Sequence, residues 1–215
     1  MRRCELILAA ILALLMSSGG VLGQEVIDRV AARVENDVIL TSDIRELARY
    51  QTLMEGKPES DTQILDRLID QWIVRNEATV SRYPQPSEEE VQRSLARITR
   101  TFTSPAEFEE RRQQSGLSSE ELLAMVKSEL YLRNYLDSRF RPAIQIEEKD
   151  VDDFYKTRVV PRAEARGQAP PSFESAREFI QEALVQQAID EQADRWLKES
   201  RSRIKVENLL DEGKP

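Results

Sequence analysis

Three pairs of adjacent glutamates are the side chains whose type and spacing could support chemistry. The pairs are Glu88-Glu89, Glu120-Glu121 and Glu147-Glu148. Two carboxylates held close together can act as a general acid and a general base. Each pair, however, falls where a helix is predicted to begin, and there acidic side chains stabilise the positive end of the helix dipole. We therefore interpret the pairs as helix-start residues and predict no catalytic residue.

The chain contains no histidine and a single cysteine, Cys4. This composition excludes Ser-His-Asp and Cys-His catalytic sets, and any zinc site built on imidazole or on clustered thiolates. Carboxylates could still bind a hard cation, but the chain has no Asp-x-Asp-x-Asp-Gly loop. Its seven glycines form no phosphate-binding loop. We expect no metal ion, no cofactor and no enzymatic activity.

The first residues have the pattern of a secretory signal peptide. Arg2 and Arg3 precede an apolar run from Leu6 to Met16, and small or apolar residues precede Gln24. The run is too short to cross a bilayer of about 30 Å as a helix. We predict a signal peptide over residues 1–23 and export to the periplasm, with an uncleaved anchor as the alternative. No later segment is predicted to cross a membrane.

The chain is acidic, which bears on its partners. Removal of residues 1–23 changes the formal net charge from −8 to −9, since Arg2, Arg3 and Glu5 are lost. An acidic chain without a basic patch is a poor binder of nucleic acid. We therefore expect no nucleic-acid partner.

The segment Val26–Leu40 is predicted to organise the rest of the chain. Its β-branched residues fall between charged ones, a pattern that favours a half-buried strand. Asn36-Asp37 is predicted to form a turn, and 38–40 a second strand. An isolated hairpin is marginally stable in water. We predict that Ile204–Leu209 pairs with it.

Almost everything between these strands is predicted to be helical, so the expected fold class is mainly α with a small β element. The segment Thr41-Ser42-Asp43 resembles a helix N-cap, and capping boxes are predicted at Ser87, Ser104 and Ser118. The predicted helices run over 43–55, 61–83, 88–102, 105–115, 119–141, 147–158 and 173–203. The predicted divisions are a core over 24–158, a linker over 159–172, a completing helix and strand over 173–210, and a polar tail over 211–215, which begins to fray at Leu210.

The leading segment and the order of helices behind it resemble a known family. Residues 27–44 read Ile-Asp-Arg-Val-Ala-Ala-Arg-Val-Glu-Asn-Asp-Val-Ile-Leu-Thr-Ser-Asp-Ile. This segment, on a chain predicted to be exported, resembles the N-terminal chaperone region of the SurA family. The resemblance continues more loosely through 87–155 and returns at 196–207. It implies a helical chaperone domain whose last helix and strand return to the hairpin. It also implies ATP-independent binding of unfolded outer-membrane or envelope proteins in an apolar groove.

The chain departs from that family where a parvulin-type prolyl isomerase domain usually follows. Only residues 159–172 are available there, and fewer than about 40 residues rarely build a core of their own. A parvulin fold also normally uses histidine, which this chain lacks. We therefore expect a chaperone module without isomerase activity.

Large apolar residues at helical spacing are the candidates for such a groove. Each could equally be ordinary core, which is the commoner role of an aromatic or methionine at this spacing. Trp72 and Trp196 are assigned to the core. The candidate groove residues are Leu47, Tyr50, Met54, Phe102, Phe108, Leu122, Met125 and Tyr135.

Three classes of function stay open at this point. The preferred one is a carrier for unfolded outer-membrane or secreted proteins. The second is a dedicated subunit that binds one folded partner, or exchanges its terminal strand to form a homodimer. The third, an isomerase-related enzyme, is disfavoured by the missing domain and the missing histidine.

Overall fold

The computed structural model describes residues 28–210. The predicted signal peptide, the strand residue Val26 and the tail over 211–215 lie outside these residues. The described chain is mainly helical with a small three-stranded antiparallel sheet, so the predicted fold class is confirmed. The strands are β1 (Val30–Val34), β2 (Asp37–Leu40) and β3 (Val206–Asn208). The helices are α1 (Thr41–Glu55), α2 (Asp61–Val80), α3 (Glu88–Thr99), α4 (Pro105–Ser115), α5 (Ser119–Phe140), α6 (Glu148–Phe154), α7 (Val160–Glu164) and α8 (Phe173–Arg201).

The sheet joins the two ends of the described chain. Its strand order is β2-β1-β3, and Val34 pairs with Val206 in antiparallel register. Glu35 secures this return, because its N–H donates to the Lys205 carbonyl (2.9 Å) while its carboxylate accepts from the Lys205 N–H (2.6 Å). The predicted pairing of the hairpin with the far segment is confirmed.

The hairpin differs from its prediction in two details. The turn falls at Glu35-Asn36 rather than Asn36-Asp37, and Glu35 adopts the left-handed region with φ 53°. The pairing of β1 with β2 also shifts between Val30 and Ala32. An extra residue at such a bulge interrupts strict alternation. Ala31 and Ala32 are consequently both buried, whereas Val30 is only half-buried.

Side-chain caps set most of the helix starts. Ser87 and Ser118 form the predicted capping boxes, and Ser60 forms another at the start of α2. The box predicted at Ser104 is only half made. Its hydroxyl accepts from the Glu107 N–H (3.1 Å), but the Glu107 carboxylate accepts from the N–H of Thr103 instead (2.9 Å).

The helix α1 begins directly after β2, with no loop between them. Its N-cap is Leu40 rather than the predicted Thr41-Ser42-Asp43, and the Asp43 carboxylate accepts a hydrogen bond from the Leu40 N–H (2.7 Å). Gly56 ends α1 with φ 82°, a left-handed conformation that glycine adopts without steric cost. The strand and the helix therefore form one continuous unit. Helix α2 ends at Val80, before the predicted Tyr83, and α8 ends at Arg201 rather than Arg203.

Four buried clusters hold the elements together. The first joins the sheet to α1 and α2 and includes Leu210, which corrects the prediction that this residue begins a frayed tail. The second joins α1 to α3, α4 and α5, and the third joins α2 to α5. The fourth lies between α6 and α8, around Val151, Ala176 and Ile180.

The predicted linker is shorter than expected because the helix before it continues. A π-helical turn over Tyr155–Val159 connects α6 to α7, and the helix reaches Glu164. Pro161 has no N–H to donate and its ring would clash with the carbonyl four residues earlier in a regular α-helix. A π turn is one way to accommodate such an interruption. Only residues 165–172 are irregular, and α8 then runs for 29 residues without a break.

Candidate functional site

An open groove of about 390 Å³ lies between β2, α1, α2 and α5. α1 and α2 each contribute residues spaced i, i+3, i+4 and i+7, and α5 contributes residues spaced i, i+1, i+4 and i+5, so each helix presents a single face to it. The lining residues are Val38 and Ile39 from β2; Asp43, Glu46, Leu47 and Tyr50 from α1; Leu68, Gln71, Trp72 and Arg75 from α2; and Ala124, Met125, Ser128 and Glu129 from α5.

Hydrogen bonds hold the polar groups of the groove walls in place. The Tyr50 hydroxyl donates to the Glu129 carboxylate (2.6 Å), which links α1 to α5. The Trp72 indole N–H donates to Asp37 (2.8 Å). Burial and the neighbouring Glu129 carboxylate raise the pKa of Tyr50 far above its ordinary value of 10. The Tyr50 hydroxyl therefore stays a hydrogen-bond donor throughout the physiological pH range.

The groove has an excess of negative charge. Among residues 28–210, Asp43, Glu46 and Glu129 line it together with one cation, Arg75, which donates to the Ser128 hydroxyl (2.9 Å). Within residues 28–210, none of these four charged groups forms a salt bridge. The groove thus combines apolar side chains with an excess of carboxylates.

Glu46 is the acidic residue of the groove that burial perturbs most clearly. Loss of hydration raises its pKa above the ordinary 4.5, repulsion from Glu121 and Asp43 raises it further, and Arg49 opposes the shift. The raised pKa means that the folded state holds the Glu46 carboxylate less favourably in its ionised form than the unfolded state does.

Replacement of Glu46 by glutamine should stabilise the protein at about pH 7. When the pH falls through the ordinary pKa of 4.5, Glu46 becomes protonated in both states, and the difference between variant and unmodified protein should shrink. Urea unfolding at about pH 7 and at a pH below 4.5 measures the free energy of unfolding of the variant and of the unmodified protein. A variant less stable than the unmodified protein at about pH 7 would contradict the assignment.

The structure brings only some of the predicted groove residues together. Leu47, Tyr50 and Met125 line the groove, and Leu47 is at the same time a buried member of the first cluster. Phe108 and Leu122 are buried in the second cluster, where Met54 and Phe102 pack against them. The Phe102 and Phe108 rings meet edge to face at 5.2 Å between centroids. Tyr135 is buried in the third cluster, with its ring 5.6 Å from that of Tyr83.

Phe108, Leu122 and Tyr135 therefore act as core in this structure, since almost none of their surface contacts solvent. Trp72 and Val38 also line the groove, although neither was predicted to do so. Trp72 was assigned to the core, but it is half-buried and lines the groove. Its four-residue spacing from Leu68 was a signal that both face the same way. Trp196 is also half-buried, and it packs against the first and third clusters.

The glutamate pairs lie at helix starts, as the sequence analysis expected. Glu121 accepts the Ser118 N–H of its capping box (2.7 Å), and Glu148 pairs with Arg177 (2.7 Å). Across residues 28–210, no group of three acidic, histidine or cysteine side chains is arranged to hold a metal ion. No helix in that part of the chain is both long and apolar enough to cross a membrane.

A second cleft, of about 490 Å³, lies between the α6–α7 segment and α8. Phe154 and Leu184 form its apolar part, and charged side chains such as Asp153, Arg158 and Glu191 surround them.

Compared with known proteins, the chain matches no protein-family model and no curated protein sequence. The resemblance to the SurA family therefore stays a prediction from the residues quoted above.

Proposed function

We propose that this protein is an ATP-independent periplasmic chaperone module that binds unfolded outer-membrane or envelope proteins and has no isomerase activity. The observation that supports it most directly is the groove beside the hairpin. Apolar side chains from three helices and one strand converge there, and among them Val38 is exposed while Tyr50, Trp72 and Met125 are half-buried. Exposed apolar surface rimmed by polar groups is typical of a protein-binding site.

The composition of the groove suits a carrier with many different clients, meaning the unfolded proteins that it binds. Met125 is flexible and can repack around different side chains. Tyr50 and Trp72 offer large apolar faces whose polar atoms already have partners. Binding would depend chiefly on apolar contact, and few client polar groups would need an exact match.

The groove is small compared with an unfolded chain. Its volume of about 390 Å³ lies within the range of a small-molecule pocket. It would hold only a few client side chains at once. Weak and reversible binding follows, which a carrier without ATP requires in order to release its clients.

The direct test is an aggregation assay with purified protein comprising residues 24–215. A denatured outer-membrane protein is diluted into buffer without ATP, and light scattering follows its aggregation. We expect suppression at severalfold molar excess of this protein. No suppression, together with tight binding to one folded protein, would favour a dedicated interaction subunit. Turnover of a proline-containing peptide would favour an isomerase-related enzyme.

Replacement of Met125 by lysine should reduce this suppression severalfold, because it places a charge among the apolar side chains of the groove. Val80→Lys is the matched control, since Val80 lies on α2 outside the groove with 74% of its surface exposed. Urea unfolding of both variants separates lost binding from lost stability. Equal suppression by the two folded variants would exclude the groove as the client site.

A further inference from the structure

β2 is an edge strand in the part of the chain that the structure describes. In the order β2-β1-β3, it has a strand neighbour on one side only among residues 28–210. The Thr41 N–H points across the hairpin to the Arg29 carbonyl (2.8 Å), whereas the Leu40 N–H points the other way, to Asp43 (2.7 Å). Backbone groups alternate in direction along a strand. The N–H and C=O of Val38 therefore face the open edge, on the same side as the Leu40 N–H.

The groove reaches this open edge. Val38 and Ile39 both line it, although consecutive strand residues place their side chains on opposite faces of the sheet. The groove therefore extends along β2 as far as Val38, the residue whose backbone groups face the open edge. Half of the Val38 surface is exposed, while Ile39 is buried.

The charge of the groove indicates which side chains would suit an added strand. Three carboxylates line it without a salt-bridge partner among the described residues, and Tyr50 and Trp72 present aromatic faces beside them. Lysine and arginine side chains interact favourably with both carboxylates and aromatic faces. Acidic side chains would be repelled.

We propose that an extended segment of a non-native protein, with alternating apolar and basic residues, adds to the sheet by pairing with β2 at Val38. Its apolar side chains would enter the groove, and its basic side chains would lie against the groove carboxylates. This inference rests on the proposed chaperone function and specifies how that site holds a client. Strand addition gives affinity through main-chain hydrogen bonds, which any sequence can make, so the mode suits a carrier of β-barrel precursors.

Peptide binding tests the backbone contribution. A fluorescein-labelled peptide of about eight residues, with alternating valine and lysine, spans the typical length of a strand. We expect it to bind, to slow amide exchange at Val38, and to bind more weakly as salt is added. A second peptide carries N-methyl groups on two consecutive central residues. Because consecutive N–H groups point to opposite edges of the extended peptide, this removes one hydrogen-bond donor from each of its edges. It should bind about tenfold more weakly. A valine–glutamate peptide should bind more weakly still.

Val38→Lys should weaken binding of the valine–lysine peptide about tenfold, because a charged side chain then repels the peptide at the edge. Val80→Lys should leave binding unchanged, and circular dichroism checks that both variants fold. Equal binding of the N-methylated peptide, or unchanged exchange at Val38, would overturn the proposal. A dimer of this chain that forms through Val38, seen by sedimentation, would overturn it too.

The same variants keep the two proposals separate. If Val38→Lys loses peptide pairing but the unmodified protein suppresses aggregation, both proposals stand. If the unmodified protein suppresses aggregation and N-methylation changes nothing, the chaperone function stands and strand pairing fails. If the peptide pairs with β2 but no aggregation is suppressed, the chaperone function fails and the peptide site stands.

Discussion

Replacement of Leu210 by alanine should lower the free energy of unfolding by about 2–4 kcal/mol. Only 4% of the Leu210 surface is exposed, and the side chain belongs to the first buried cluster with the sheet and α1. Its backbone is held separately, because the Arg29 guanidinium donates to the Leu210 carbonyl (3.2 Å) and the Leu210 N–H donates to Asn208 (2.9 Å). The substitution keeps those bonds and removes apolar packing alone.

Leu209→Ala is the matched control for this experiment. Leu209 is half-buried, and its N–H bond to the Ala31 carbonyl (2.9 Å) survives the change. We expect it to lose about 1 kcal/mol, since less apolar surface is involved. Urea unfolding measures both variants. Equal small losses would mean that Leu210 does not pack in the core.

Replacement of Ile180 by alanine should have an effect of similar size, about 2–4 kcal/mol, but in another part of the protein. Ile180 is fully buried between α6 and α8, against Val151 and Ala176. Deletion of its larger side chain leaves a cavity that the surrounding helices fill only in part. Because this fourth cluster is distinct from the other three, amide exchange should speed up first in α6 and the start of α8.

The neighbouring residue supplies a stringent control. Phe179 lies next to Ile180 on α8, but 75% of its surface is exposed. We expect Phe179→Ala to change the free energy of unfolding by less than about 0.5 kcal/mol. If the two alanine variants had equal stability, the burial of Ile180 and the exposure of Phe179 on α8 would be wrong.

Most helix starts could be predicted from the sequence because their causes are local. Ser87 and Ser118 satisfy backbone N–H groups within their own first turns, and no distant contact is needed. The pairing of the hairpin with β3 was predicted for a different reason: an isolated hairpin requires a partner, and Ile204–Leu209 was the candidate strand available.

The lining of the groove was harder to predict because exposure depends on how whole helices pack. Tyr50 and Tyr135 have similar helical surroundings in the sequence. One lies at a groove wall, and the other is covered by Tyr83 from the chain beyond α2. The buried position of Leu210 could not be predicted for the same reason, because a polar segment follows it directly in the sequence. Pro161 contributed to the prediction of a linker, because a proline normally ends a helix. In the structure the helix continues past this position through a π turn.

The closure of the sheet by β3 has a consequence for the order in which the molecule can fold. Glu35 and its partner Lys205 are separated by 170 positions along the chain. Contacts between such distant positions require a large loss of chain entropy before they form, and they tend to form slowly. During biosynthesis, β1 is made long before β3 and has one bare flank in the interval. An unpaired strand edge can pair with a strand of another chain, and closure of the sheet by β3 removes that edge of β1.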